Sequence, residues 1–191
     1  MDTVDQLFAY ETIRQLAARY ALAIDSRNLD ALVGLFVPDV RVGRDRVGRA
    51  ALREDFDAQL RAIGRSVLNV GTHVIDLGDA DHATGWVYTH AEIELDGRWI
   101  HQAILYEDTY ARVDGAEAEG QRATAPAHAP EAHERGGWRF VRRIHRLWYG
   151  AEPGVNPLTL PPANWPEHHH GMGTVPDCFD SWRAFWTAGS D

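Results

Sequence analysis

Cysteine is almost missing from this chain: Cys178 stands alone among 191 residues. A single thiol forms no internal disulfide and cannot by itself hold a metal. Basic residues are also in deficit, with 19 Lys and Arg against 28 Asp and Glu and a formal net charge of -9. That balance disfavours nucleic-acid backbones, which need a basic stripe. No run approaches the roughly eighteen apolar residues of a membrane span. Nor does a basic region followed by an apolar stretch open the chain, so a cytoplasmic location is the expectation. Gly71 and Gly78 lie at strand ends without the glycine cluster of a dinucleotide fingerprint or phosphate loop. There is no serine elbow. The run His168-His169-His170 fits no zinc spacing, because adjacent histidines on an extended chain point in different directions. Neither a cofactor nor a metal is expected.

What the chain does have is aromatic residues, 7 Trp, 6 Tyr and 6 Phe, which fill cores and line ligand pockets. Its length suits one domain with a single substantial core. Ala9, Ile13, Leu16, Ala17, Tyr20 and Ile24 recur at steps of three and four, predicting a helix over residues 5 to 24 that ends near Asp25 to Arg27. Asn28 is a plausible N-cap for a second helix with Leu29, Leu32, Val33 and Phe36 as its apolar stripe, stopped by Pro38. A short strand over 40 to 42 and a charged turn precede a third helix over 50 to 61, which buries Leu52, Phe56 and Leu60.

Beyond Gly64 the period changes. Strands are predicted over 68 to 77, 82 to 95, 99 to 113 and 138 to 148, with Asp96-Gly97 as a tight turn. Residues 114 to 137, rich in Ala, Glu, Gly, Pro and His, read as a surface excursion. Helices followed by a run of antiparallel strands make an α+β fold, with helices covering one face of a bent sheet. Residues 1–149 form the domain. The tail, 150–191, carries Trp165, Trp182 and Phe185 and is expected to pack on the domain or on a neighbouring subunit.

His73 is the first candidate for chemistry. Gly71, His73, Ile75 and Leu77 share one parity of their strand, while Val70, Thr72, Val74 and Asp76 share the other. A buried imidazole needs partners for its ring nitrogens. Asp25, beside apolar Ile24, is a natural one, since a carboxylate orients the ring and raises its basicity. The bland alternative is that Asp25 caps a helix and His73 is a satisfied core group. Trp86, Tyr88 and His90 share a parity on one strand, Trp99, His101 and Ala103 on the next, and Arg142, Ile144 and Arg146 on the last. Both faces carry polar groups, so either parity can face a pocket. His101 and His145 could donate to a substrate oxygen, or serve as structural or surface groups. Arg142, Arg143 and Arg146 could attract an anion, or pair with the acidic excess.

The order of motifs resembles the SnoaL-like branch of the nuclear transport factor 2-like (NTF2-like) superfamily. The first helix ends in Tyr-x-x-x-x-Asp (Tyr20 to Asp25) and a short helix ends in Phe-x-x-Asp (Phe36 to Asp39). Gly71-Thr72-His73 and Gly136-Gly137-Trp138-Arg139-Phe140 follow. The resemblance covers roughly residues 5 to 149 and implies a cone-shaped α+β fold with a central pocket between curved sheet and helices. Within the branch the chain is similar to scytalone dehydratase, bile acid 7-alpha-dehydratase and hexachlorocyclohexane dehydrochlorinase, which eliminate water or hydrogen chloride without a cofactor. The resemblance implies Asp25 and His73 as a general-base pair and Tyr20 as the group that polarises a carbonyl or helps a leaving group depart. It puts a basic residue near Arg112. The place of the dehydrochlorinase's helix lysine falls near Tyr20, and that of the bile acid enzyme's additional aspartate near His90. Tyr88, His90, His101, Arg112, Arg142 and His145 are the expected substrate-binding residues.

The function expected is that of a cofactor-independent lyase (dehydratase) or isomerase acting on a hydrophobic cyclic carbonyl compound of polyketide, steroid or terpenoid kind. The alternatives are a non-catalytic domain that binds a small ligand or a protein, and an epoxide hydrolase-like enzyme. A homodimer or homotrimer is expected through the back of the sheet, with no nucleic-acid or membrane partner.

Overall fold

A computed structural model describes residues 1–113, 137–154, 156, 159–162 and 177–188. Most of the 114 to 137 excursion, Trp165 and the three adjacent histidines lie outside the described residues. Helix α1 (Thr3–Asp25) starts where the Asp2 carboxylate accepts from the Asp5 N–H. Its apolar face, Ile13, Leu16, Ala17, Tyr20 and Ile24, is buried. Helix α2 (Leu29–Gly34) starts at Asn28, whose side chain accepts from the Ala31 N–H. A small hairpin of β1 (Arg41–Val42) and β2 (Arg46–Val47) leads into α3 (Arg49–Arg61).

Strands β3 (Ser66–Leu77), β4 (His82–Leu95), β5 (Arg98–Arg112) and β6 (Trp138–Ala151) form one antiparallel sheet in sequence order. The helices cover one face of it. The end of α2 is stitched to β6, with the Val37 N–H donating to the Phe140 carbonyl and the Phe140 N–H to that of Leu35. The α+β arrangement expected from the sequence is the observed one.

Alternation of burial settles which parity faces the helices. In β4, Ala83, Val87, Thr89 and Ala91 are buried, and Trp86, Tyr88 and His90 face outward. In β5 the inward set is Ile104, Tyr106, Asp108 and Tyr110. Registry carries this to β6, where His145 pairs with Tyr106, Arg143 with Asp108 and Phe140 with Tyr110. The strict alternation expected for β3 is interrupted. Its register shifts between Val70 and His73, so Ser66, Leu68 and Val70 face inward before the irregularity and His73, Ile75 and Leu77 after it. One extra residue in a strand exchanges its two faces.

The last helix, α4 (Asp180–Thr187), docks against the C-terminal ends of α1 and α3. Trp182 lies under the guanidinium of Arg27, 4.7 Å from ring centroid to Cζ, and Phe185 under Arg61 at 4.3 Å. Ser181 Oγ donates to the Ser26 carbonyl at 2.7 Å. Arg27 is 2 % exposed and adopts a left-handed backbone at φ 56. It holds that conformation through its Nη1, which donates to the Ile24 carbonyl at 2.6 Å and to Ser66 Oγ at 3.0 Å. Its Nη2 donates to the Gly64 carbonyl. The indole supplies area and a cation–π contact in a desolvated place. Replacing Trp182 with Ala is expected to cost about 3 kcal/mol, read as a lower urea midpoint. An unchanged midpoint would mean that α4 does not dock as described.

Candidate functional site

The centre of the inner sheet face carries a buried ion pair. Arg143 donates from Nε to Asp108 Oδ1 at 2.8 Å and from Nη2 to Oδ2 at 2.7 Å. The two side chains are 4 % and 0 % exposed. Desolvation works against the charge of Arg143, but the hydrogen bonds and charge of Asp108 outweigh it and raise its pKa above the ordinary value. Three aromatic faces enclose the guanidinium: Tyr20 at 4.4 Å, Tyr106 at 4.3 Å and Phe140 at 4.4 Å. Their negative faces replace some of the water that the cation has lost.

A second line of contacts leaves Asp108 on its other side. The Tyr110 hydroxyl donates to Asp108 Oδ2 at 2.8 Å, and His73 Nε2 lies 3.0 Å from the same hydroxyl. Since that hydroxyl's proton is given to Asp108, the natural arrangement has His73 Nε2 donating to the Tyr110 oxygen. Gly85, opposite on β4, makes the room. A Cβ there would sit 2.7 Å from the Val74 carbonyl oxygen and 3.3 Å from His73 Nε2. Burial lowers the His73 pKa to about 4, the charge of Asp108 opposing the shift and that of Arg143 reinforcing it. The ring is therefore neutral near pH 7.

Asp25 and His73 are not hydrogen-bonded to each other. The Asp25 carboxylate accepts from Ser66 Oγ at 2.9 Å and from the Leu68 N–H at 2.9 Å. Leu68 precedes His73 by five residues, which at the ordinary strand rise is roughly 15 Å along β3. Burial raises the Asp25 pKa against the pull of these two donors and of Arg27. Asp25 thus joins the mouth of β3 to the end of α1, and His73 belongs to the Asp108 network instead.

A cavity of about 310 Å³ opens on the other side of Arg143. Phe36, Leu52 and Phe56 give it an apolar wall, and Tyr20, Tyr106, Arg143 and His145 contribute its polar groups. Burial raises the pKa values of Tyr20 and Tyr106, so both phenols keep their protons. His145 stacks edge-on to Tyr106 with centroids 5.5 Å apart. Partial desolvation lowers its pKa, leaving a neutral imidazole at the open side. Arg41, Asp55 and Arg142 complete the charged lining.

Of the candidate site residues singled out from sequence, Tyr20, Arg142, Arg143 and His145 contribute to the lining of this cavity and His73 does not. Tyr88, His90 and His101 are on the outer face of the sheet, where His101 lies 3.6 Å from Glu92. Arg112 pairs with Trp138 at the far end of β5. Sequence reasoning passed over Tyr106 and Asp108. Their signal was an acidic residue at the inward parity between two tyrosines, Tyr106 and Tyr110, opposite an arginine on the next strand. Among the described residues no cluster of His, Cys, Asp and Glu could hold a metal ion, and no helix is long and apolar enough to cross a membrane.

The model of the SnoaL-like domain matches residues 5–144. No curated protein matches. Among solved structures, a candidate scytalone dehydratase from Novosphingobium aromaticivorans is 18 % identical with TM-score 0.60, over 81 % of this chain and 94 % of that one. A type 3 hexachlorocyclohexane dehydrochlorinase from Novosphingobium barchaimii is 16 % identical with TM-score 0.63, over 80 % and 95 %. An NTF2-like protein of cystatin-like fold from Novosphingobium aromaticivorans is 26 % identical with TM-score 0.53, over 76 % and 85 %.

The depressed pKa of His73 makes a stability prediction. Between about 4 and the ordinary 6.5, the unfolded chain binds a proton on His73 that the folded protein refuses. Stability therefore rises with pH through that window. Partial exposure of the ring reduces the effect to about 1–2 kcal/mol. Urea midpoints across the window should show this rise in the parent and a flatter profile in His73→Asn. Asp25 titrates in both proteins and cancels from the difference. Parallel profiles would contradict the assignment.

Proposed function

Since the chain belongs to the SnoaL-like domain family, whose model matches residues 5–144, we propose that it is a cofactor-independent lyase or isomerase. Its substrate is a hydrophobic ring compound that carries a carbonyl. The observation that carries this reading is the polar end of the cavity, where two protonated phenols, Tyr20 and Tyr106, adjoin the cation of Arg143 with a neutral His145 nearby. The volume of about 310 Å³ is at the small end of ligand pockets and suits a compound of two or three rings.

In this scheme the carbonyl oxygen accepts from Tyr20 or Tyr106. His145 takes a proton from the carbon beside the carbonyl, and that C–H electron pair makes the oxygen an enolate. The phenols are donors placed where negative charge develops, with little water to compete. Return of the electrons expels a β-hydroxyl group as water, using the proton on His145. Without such a leaving group, the proton returns to another carbon and the double bond moves. The base is assigned to His145 rather than His73, because His73 is bonded to Tyr110 behind the ion pair.

A panel of ring ketones, hydroxyketones and epoxides, read by mass spectrometry and chromatography, distinguishes water loss, rearrangement and water gain. His145→Gln should slow the reaction by about 10²-fold or more. Tyr20→Phe should slow it by about 10²-fold through loss of an oxyanion donor. Full activity in both variants would refute the scheme. A second reading is favoured by the engagement of Asp25 with Ser66 and Leu68, which leaves, among the described residues, no carboxylate bonded to a histidine of the cavity. On that reading the domain binds its ligand without chemistry, and the panel would show binding with no change of mass.

A homo-oligomer built on the outer sheet face accompanies this reading. Val67, Val74, Trp86 and Tyr88 are exposed on that face, an apolar patch suited to a second copy. Trp86→Glu should lower the mass measured by sedimentation to that of a monomer. A parent protein already monomeric at high concentration would rule this out.

A further inference from the structure

Helix α3 brings to the cavity two polar side chains that the reaction scheme leaves unused. Four of its residues line the space: Leu52, Asp55, Phe56 and Gln59. At 3.6 residues per turn these positions fall within an arc of about 100° on the helix surface. Phe56 fixes the direction of that arc, since its ring meets those of Tyr20 and Phe36 at centroid distances of 6.2 and 5.9 Å. Leu52, on the same arc, is buried. Glu54 points the other way, with its side chain 74 % exposed. A helix covers its backbone with its own side chains, so it is the side chains of Asp55 and Gln59 that border the cavity. Asp55 is half-buried and Gln59 exposed, which puts the pair at the opening. The closed end belongs to Tyr20, Tyr106 and Arg143, all buried.

The two ends differ in what they offer a ligand. The closed end presents donors, two phenols and a guanidinium. At the opening, Gln59 Nε2 donates to Asp55 Oδ2 at 2.6 Å. That bond leaves the Gln59 carbonyl oxygen and the remaining lone pairs of the carboxylate as acceptors. Among the described residues the other donor to Asp55 is Arg46, at a long 3.4 Å from Oδ1. We propose that the ligand is a hydroxylated ring ketone bound in one direction: its carbonyl lies at the Arg143 end, and a hydroxyl group at its far end donates to Asp55, the residue that sets this specificity. This rests on the reading of the cavity as a ligand site and adds which polar group the outer end of the ligand carries. A hydroxyl suits the place better than an ammonium group, because Arg46 already supplies the carboxylate with a counter-charge. Hydrogen bonds to charged acceptors are the stronger kind, and at a partly wet opening one amounts to about a five- to twentyfold preference.

The test uses 7-hydroxy-1-tetralone and 7-methoxy-1-tetralone, which share a ring ketone and differ in one donor, with 1-tetralone as a second reference free of the methyl group's bulk. Binding to the full chain is read by calorimetry near neutral pH. The expected result is that the hydroxyl compound binds about five to twenty times more tightly than either reference. In Asp55→Ala the preference should fall below about twofold, and in Asp55→Asn it should lie between that and the parent's, since a neutral oxygen accepts more weakly than a charged one. Asp55 is not a core residue, so both variants are expected to fold. Thermal unfolding like the parent's checks that, and either variant alone suffices for the comparison.

A reference ketone that binds as tightly as the hydroxyl compound in the parent overturns the inference while leaving the cavity as a ligand site. A preference that survives undiminished in the Asp55 variants also overturns it, and its loss in His145→Gln would move the hydroxyl to the imidazole. Binding of none of the three ketones removes the ligand reading and this inference together.

Discussion

The ion pair between Arg143 and Asp108 is the constraint to which the rest of the interior is fitted. Two unit charges removed from water cost several kcal/mol each unless nearly every donor and acceptor is answered. Here the carboxylate takes both arms of the guanidinium and the Tyr110 hydroxyl. The guanidinium takes three aromatic faces. Those rings come from α1, β5 and β6, so one cation ties the first helix to the last two strands. The Tyr20, Phe36, Phe56 and Phe140 cluster stacks above it with centroids 5.2 to 6.5 Å apart. Apolar filling and charge satisfaction are here the same construction.

Much of the architecture was legible in the sequence because it rests on local regularity. Recurrence at three and four residues located α1 and α3, Asn28 marked the start of α2, and Asp96-Gly97 marked the turn between β4 and β5, where both residues adopt positive φ. The end of α2 differs from that expected: it stops at Gly34, before Phe36 and Pro38, because Phe36 bridges to Phe140 of β6. The inward parity was harder to read. A strand that contributes a buried charge pair presents polar residues on both sides, so alternation of polarity no longer identifies the solvent face. Tyr88, His90 and His101 look like pocket residues in the sequence and belong to the outer face. Register irregularities at Val70/His73 and Thr109/Tyr110 compound the difficulty, since each exchanges the two faces of a strand.

The pairing of Asp25 with His73 is the instructive difference. Each residue was rightly placed on its element: Asp25 ends α1, and His73 faces the interior. What sequence could not supply is the position along β3 at which the end of α1 arrives. That position is fixed by Arg27, whose left-handed backbone and buried side chain anchor the chain to Gly64 and Ser66. The same anchoring delivers the Asp25 carboxylate to Ser66 and Leu68. Nothing in the spacing of residues 20 to 29 signals it, because a positive φ at an arginine has no compositional mark as it would at a glycine.

With His73 committed to Tyr110, the imidazoles of His73 and His145, both on the helix-facing side of the sheet, have different environments and different uses. His73 is half-buried, with its Nδ1 atom buried and unpartnered. An imidazole kept neutral there can donate to Tyr110 but gains little by accepting a proton. His145 is desolvated only in part and stands beside space that a molecule can occupy, so taking a proton there is neither prohibitive nor futile. The ion pair separates these two settings: on one side its carboxylate orders a closed chain of hydrogen bonds, and on the other its guanidinium borders the cavity. A charge already balanced by its own carboxylate can polarise a neutral oxygen while offering a second anion little.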